Sequence, residues 1–206
     1  MNNGNGANLT PLRRLTPVTL AMVLLASVLG CGANPTYYGK GLTGVGEDAS
    51  LAILPPLNLS KHDRASDVVL NAAVVEMLDS EWFRVMDPGL VETVILEQRI
   101  RVTDRMSLEM IQQFAERLNV THIMVGSITE FGHVQARSEQ VPIVSVTLRI
   151  INCATGTITW AATHSRRGDD SETIFGMGRV ESTDQLAGIT VKEMLKSLKN
   201  KKRKSK

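Results

Sequence analysis

Three carboxylates stand close together near the end of the chain, at Asp169, Asp170 and Glu172. Carboxylate oxygens are ligands that Ca²⁺ prefers, so the cluster invites a calcium-site interpretation. Its spacing matches no calcium-binding loop that we can name, and Arg166 and Arg167 stand just before it. Mixed charge of this density is typical of a solvated face. We therefore expect a charged surface loop here and no metal site.

The four histidines are the next candidates for chemistry, and they fall on different predicted elements: His62, His122, His133 and His164. If His122 and His164 lay on neighbouring strands they could share a metal, but neither has a cysteine or carboxylate companion in the sequence. The chain also lacks a nucleophile elbow, a phosphate-binding loop, a dinucleotide fingerprint and a His-Glu-x-x-His motif. The sequence therefore predicts a protein that is not an enzyme and that holds no metal or cofactor.

A short apolar run near the N-terminus predicts export. Arg13 and Arg14 precede an uncharged stretch from Leu15 to Leu29, which contains Pro17. A membrane-spanning helix needs about 20 apolar residues, and this run is shorter. A positive region followed by a short apolar run is the pattern of a secretory signal peptide. We expect residues 1–30 to be removed from the mature protein.

The end of that run, Val28-Leu29-Gly30-Cys31, resembles the lipobox of bacterial lipoproteins. The resemblance implies that the Cys31 thiol takes a diacylglycerol and that Cys31, with palmitate-type acyl chains, becomes the N-terminus. A single acyl chain binds a protein to a membrane only marginally and reversibly, whereas two or three chains anchor it stably. Gly32 stands where an aspartate would favour the inner membrane, so we expect the outer membrane, with the domain facing the periplasm. A plain secretory signal, with Cys31 at the junction by chance, is the alternative.

The charge of the chain is divided unevenly along its length. Once Arg13, Arg14 and the six basic residues of the tail (199–206) are set aside, residues 31–198 hold 15 basic and 21 acidic residues. A mildly acidic body argues against a nucleic-acid-binding domain. The tail is predicted either to contact polyanions or anionic lipid, or to act only as a solubilising segment. Its candidate contact residues are Lys201, Lys202, Arg203 and Lys204.

Hydrophobic periodicity places one domain at residues 50–198, after a Gly-, Asn- and Pro-containing segment (32–49) that we expect to be a flexible spacer. The element order βαβααβββα predicts an α+β fold, with a mixed sheet packed by helices. Cys153, left unpaired if Cys31 is acylated, is expected to be a half-buried small apolar residue. The predicted elements are strands at 51–54, 83–86, 122–128, 144–150 and 158–162, and helices at 63–80, 87–99, 107–118 and from Ser182 onward.

Several short motifs, in this order and spacing, resemble the curli-secretion lipoprotein (CsgG) family over residues 51–198. They are 52–55 (Ala-Ile-Leu-Pro), 84–87 (Arg-Val-Met-Asp), 96–99 (Leu-Glu-Gln-Arg), 118–128 with its lone Gly126, and the closing pair 146–151 and 155–160. Similar domains occur in LpoB-type lipoprotein activators of penicillin-binding proteins. The resemblance implies a non-catalytic envelope protein that assembles with itself or binds envelope partners, of the curli production and transport type.

The chain departs from the family where the secretion channel inserts its two membrane hairpins per subunit. The corresponding positions, 130–140 and 165–181, are polar or charged, so we expect no lipid-facing hairpin at either. An assembly lipoprotein is therefore the leading hypothesis, and an activator of a penicillin-binding protein and an oligomeric outer-membrane secretion pore are the alternatives. The loop from Arg166 to Val180 is the predicted partner contact, through Arg166, Arg167, Asp169, Asp170, Phe175 and Met177.

Overall fold

The computed structural model describes residues 36–38, 48–136, 139–172 and 177–202, with residues 37–38 and 199–202 described by their backbone alone. Seven strands and four helices lie in these ranges. In chain order they are β1 (Thr36–Tyr38), β2 (Ser50–Ile53), β3 (Leu57–Asn58), α1 (Ala65–Ser80), β4 (Arg84–Val85), α2 (Pro88–Glu97), α3 (Leu108–Leu118), β5 (His122–Ala136), β6 (Glu139–Asn152), β7 (Ile158–Arg167) and α4 (Thr183–Lys202).

The strands form one mixed sheet in the order β1-β7-β6-β5-β2-β4, and β3 also pairs with β5. The pairs β1–β7, β7–β6 and β6–β5 are antiparallel, whereas β2 and β3 run parallel to β5, and β4 runs parallel to β2. Helices connect the parallel strands, as parallel connections require. The predicted α+β fold with a mixed, helix-packed sheet is confirmed.

Helices cover both faces of the sheet. On the first face, α1 and α4 pack on inward side chains of the sheet such as Leu51, Met124 and Trp160. On the second face, α2 and α3 pack over Ala52, Ile123 and neighbouring residues of β2 and β5. Successive side chains of one strand point to opposite faces of the sheet, so a central strand contributes to two separate hydrophobic cores.

The helix starts follow the capping chemistry that the sequence predicts. The Asp87 side chain accepts hydrogen bonds from the backbone N–H groups of Gly89 (2.9 Å) and Leu90 (3.3 Å), and Pro88 opens α2. Ser107 caps α3 in the same way through Met110 (3.2 Å). These side chains satisfy N–H groups that have no partner within the helix.

The β5–β6 hairpin is longer than predicted. β5 was expected to end at Ile128 but continues to Ala136, and β6 begins at Glu139 rather than Val144. A register shift between Ile128 and Glu130 changes which residues face inward, so the alternation cannot be followed through this point in the sequence. The described residues of the first region in which we expect no lipid-facing hairpin, 130–136 and 139–140, thus belong to the antiparallel strands β5 and β6; that the hairpin does not face lipid stays a prediction.

Part of the predicted spacer is also ordered. Thr36–Tyr38 form β1, which pairs antiparallel with β7 and brings Thr36 opposite Thr163. Three residues with no hydrophobic period give no strand signal in the sequence; the exposed edge of β7 supplies the hydrogen-bonding partner. At these residues the structure differs from the flexible spacer that we predicted.

Candidate functional site

The histidines singled out above do not meet. His122 begins β5 opposite Asn152, and His164 lies on β7 opposite Val146, so β6 separates the two strands. His62 and His133 line a groove of about 620 Å³ beside the hairpin. Within the described ranges, no group of three or more His, Cys, Asp or Glu side chains could hold a metal. The shared metal site considered from the sequence is therefore not formed by His122 and His164.

His164 instead belongs to an ion cluster between β7 and α4, which we call the β7–α4 cluster (His164, Arg166, Asp170, Ser171 and Glu193). His164 Nε2 lies 2.8 Å from a Glu193 carboxylate oxygen, and Arg166 donates to both Glu193 oxygens at 3.2 Å. Arg166 also donates to Ser171 Oγ at 2.7 Å and lies 3.5 Å from Asp170. The cluster ties the loop after β7 to the last helix.

This cluster changes the interpretation of the predicted contact loop. Arg166 was predicted to contact a partner, but it is buried at 6% exposure because its inward position on β7 places it against Glu193. Arg167 pairs with Asp169 at 2.7 Å, and Asp170 accepts from the Arg167 backbone N–H at 2.8 Å. The charges in this part of the loop are thus paired within the domain.

Partner contact through the other residues of the loop stays a prediction. Met177 is 64% exposed in the described part of the loop, and Phe175 lies outside the described residues. The backbone of α4 extends through Lys201 and Lys202. Cys31, Arg203 and Lys204 lie outside the described residues, so the lipidation site and half of the basic contact remain predictions from the sequence alone.

The feature that best resembles an interaction site is the outer surface of α1, together with the groove between α1 and α4. Val75 and Leu78 on α1 are 63% and 57% exposed. Beside them, Ala72, Val75, Gly188 and Ile189 contribute to a mainly apolar groove of about 440 Å³. Lys192 pairs with Glu76 at 3.5 Å at the same groove. We call this surface the α1–α4 groove.

Besides the β7–α4 cluster, the described residues include two more buried titratable groups outside that groove, Cys153 and His122. Burial raises the pKa of the Cys153 thiol to about 11, so the thiol is protonated at neutral pH and a poor nucleophile. Burial also lowers the pKa of His122, whose ring meets Phe83 edge-on at 5.2 Å and whose Nδ1 lies 2.9 Å from the Thr121 hydroxyl.

Sequence reasoning missed the two features that matter most here. The inward alternation of Trp160 and Ala162 along β7 continues to His164 and Arg166, and extending that period by four residues would have placed both inside. α1 was expected to be well buried because, apart from polar positions such as Asp67 and Asn71, it is mostly apolar. The signal for an uncovered apolar surface was that Val75 and Leu78 continue the spacing of this polar stripe.

Within the described ranges, no helix has both the length and the apolar character that crossing a bilayer requires. No known family profile matches the chain, and no curated protein sequence matches it either. The evidence from known proteins is therefore structural.

Two structures of the PelC dodecamer from Paraburkholderia phytofirmans resemble this chain with TM-scores of 0.56 and 0.54 at 16% identity; each match covers 80% of this chain and 98% or 96% of PelC. Lipoprotein GNA1162 from Neisseria meningitidis gives a TM-score of 0.53 at 20% identity, over 74% of this chain and 99% of its own. The LpoB C-terminal domain from Salmonella enterica gives 0.44 at 10% identity, over 60% and 86%.

These identities establish a shared fold and nothing finer. The α+β domain predicted from the sequence is one that a solved lipoprotein, GNA1162, also has over nearly its whole length. Membership of the curli-secretion family is not shown by these structures and stays a prediction from the motifs.

Proposed function

We propose that this chain is a non-catalytic envelope lipoprotein, anchored through acylated Cys31 at the outer membrane, whose domain assembles into a closed oligomer. An assembly lipoprotein is also the leading hypothesis from the sequence. We assign the surface for self-association to the α1–α4 groove. Pore formation and activation of a penicillin-binding protein are different functions, and no contact in the described residues favours either.

The observation that carries the proposal is an exposed apolar patch on the C-terminal half of α1. The buried side of the helix, with Ala73 and Met77, packs on the sheet, yet Val75 and Leu78 on the outer side are also apolar and are more than half exposed. Large apolar side chains that stay exposed next to one another commonly mark a protein–protein interaction site. A second molecule that covers this side would complete the burial.

Apolar burial at that contact would supply part of the free energy of association. Full burial of a valine or leucine side chain stabilises an association by about 1.5–3 kcal/mol. Covering the exposed parts of Val75 and Leu78, together with the adjoining groove, would supply several kcal/mol before the cost of association is subtracted. The structural comparison also supports self-association, because PelC, whose chain this domain resembles, is described as a dodecamer.

The test is the native mass of the full-length lipoprotein in mild detergent, for the wild type and two variants. Val75→Asp places a charge on the α1–α4 groove at an exposed position, so the monomer should fold as before. Gln113→Asp on α3 is the matched control, since Gln113 is also exposed on a helix but lies outside the groove. We expect Val75→Asp alone to dissociate the oligomer. A monomeric wild type, or equal masses for all three proteins, contradicts the proposal.

A further inference from the structure

The outer side of α2 is a second exposed apolar surface. Among the described residues, Leu96 is the most exposed large apolar side chain, at 70%, and Leu90 on the same helix is 55% exposed. The opposite side of α2, with Val91 and Val94, is buried against the second face of the sheet. Exposed apolar side chains of this size commonly mark an interaction surface.

The shape of this surface suits contact with another helical layer. Gly89, Thr93 and Leu96 follow one another at steps of four and three residues, so they lie along one side of the helix. The Thr93 hydroxyl donates to the Gly89 carbonyl at 2.8 Å, so its burial would leave no unpaired donor. Two small residues allow a close approach, and Leu96 projects beyond them. We call these three residues the α2 ridge.

The α1–α4 groove has the complementary shape. Ala72 and Gly188 contribute small residues to its lining, and no described atom lies within 4 Å of the position that a Cβ would take at Gly188. Val75 and Ile189 add apolar side chains, and the groove has a volume of about 440 Å³. A groove of this kind accepts a projecting aliphatic side chain from a neighbouring helix.

The groove and the ridge lie on opposite faces of the sheet. α1 and α4 cover the first face, whereas α2 covers the second. A two-fold contact joins the same patch on both copies, whereas a ring of more than two copies joins two different patches head to tail. Because the two patches face apart, each copy can offer its ridge to one neighbour and its groove to another.

We propose that the α2 ridge of one copy docks into the α1–α4 groove of the next, with Leu96 seated between α1 and α4. The occupant of the groove is thus a second copy of this chain, arranged head to tail. This inference rests on the self-association proposed above, and it deepens that proposal by naming the partner surface.

Charge at the two surfaces is complementary in the same arrangement. Glu92 is exposed one helical turn before Leu96, and residues four apart on a helix have Cβ atoms about 5–6 Å apart. Lys192 lines the groove and is 57% exposed at its side chain, although it also pairs with Glu76 at 3.5 Å. With Leu96 seated, Glu92 comes within reach of the neighbour's lysine at position 192. Opposite charges at such a contact fix its orientation.

The test is thiol cross-linking of the full-length lipoprotein, extracted from membranes in mild detergent. The chain that carries both Val75→Cys and Leu96→Cys is treated with a short bismaleimide and separated by denaturing electrophoresis, beside the two single variants. The matched control combines Val75→Cys with Leu59→Cys, because Leu59 is 58% exposed but lies outside both surfaces. Cys153 is buried and its pKa is raised to about 11, so it does not compete for the reagent.

We expect a ladder of covalent dimers, trimers and larger species from the double variant, with about tenfold or more cross-linked product than from the control pair or from either single variant, because docking holds the two thiols at a high effective concentration. Covalent dimers from Val75→Cys alone would show a two-fold contact between grooves and overturn the inference. Equal cross-linking of the double variant and the control pair would also overturn it.

Leu96→Asp separates this inference from the proposed function. The position is exposed, so the monomer should fold as before, and circular dichroism checks this. We expect Leu96→Asp to dissociate the oligomer in native mass measurements, as Val75→Asp does. If Val75→Asp dissociates it and Leu96→Asp does not, the ridge is wrong and self-association through the groove stands. If Val75→Asp leaves the mass unchanged, the proposed function itself is contradicted.

Discussion

Replacing Glu193 by leucine is expected to destabilise the domain by about 3 kcal/mol, because Glu193 is the only carboxylate in the β7–α4 cluster that contacts both His164 and Arg166 within the described residues. Arg166 is 7% exposed at its side chain and would stay buried with one charged partner, Asp170 at 3.5 Å, and the neutral Ser171 hydroxyl at 2.7 Å. His164, 2% exposed, would lose its 2.8 Å contact. Glu193→Leu therefore leaves a charge behind.

The magnitude follows from the geometry of those contacts. Breaking a fully buried ion pair by removing one partner costs about 3–5 kcal/mol. Glu193 is 26% exposed, so solvent screens part of the interaction and the lower end of that range applies. The double change Arg166→Met with Glu193→Leu removes the stranded charge. It should cost only about 1–2 kcal/mol, the penalty for the buried His164 nitrogen that loses its partner.

Urea unfolding, followed by circular dichroism in a Cys31→Ser background that stays out of membranes, measures both values. Glu97→Leu is the matched control. Glu97 pairs with Arg117 at 3.3 Å, but the two side chains are 47% and 62% exposed, so the loss should stay below about 1 kcal/mol. A Glu193→Leu protein no less stable than the control, or a double variant less stable than Glu193→Leu, would refute the reasoning.

Three further outcomes are expected. Gly126→Ala should lower the free energy of unfolding by about 2–3 kcal/mol in urea titrations, because its Cβ would press on the Thr147 carbonyl and the Leu148 side chain; Gly188→Ala, with open space around it, should cost nothing. Because burial lowers the pKa of His122 below 6.5, only the unfolded chain gains a proton just below pH 6.5, so stability should fall there as pH falls, and less steeply in His122→Phe. With its pKa at about 11, the Cys153 thiol should resist iodoacetamide at pH 8 until urea unfolds the domain, as mass spectrometry would show.

Local chemistry made much of the fold predictable from the sequence. Asp87-Pro88 and Ser107 are strong helix starts because each supplies a side-chain oxygen to N–H groups that the helix leaves free. The continuous apolar run after His122 predicted a central strand, and β5 pairs on both sides within it. These signals depend on neighbouring residues only, so a single sequence contains them.

The features that the sequence did not predict depend on contacts distant in the chain. The register shift after Ile128 reverses the inward face of β5, and only pairing with β6 reveals it. Thr36–Tyr38 form a strand because the edge of β7 is there to pair with. Arg166 was assigned to the surface by its charge, and Glu193, 27 residues away, is what allows its burial. Whether Val75 is exposed was decided by the packing of α1 against α4.

The most direct test of the account is native mass spectrometry of the full-length lipoprotein released from membranes in mild detergent. One spectrum gives both the mass of each subunit and the number of copies. We expect a closed oligomer of defined copy number, in which every subunit has lost residues 1–30 and carries acyl chains on Cys31. A monomer, or subunits without the acyl mass, would contradict the central claim that this protein is a lipid-anchored, self-assembling component of the envelope.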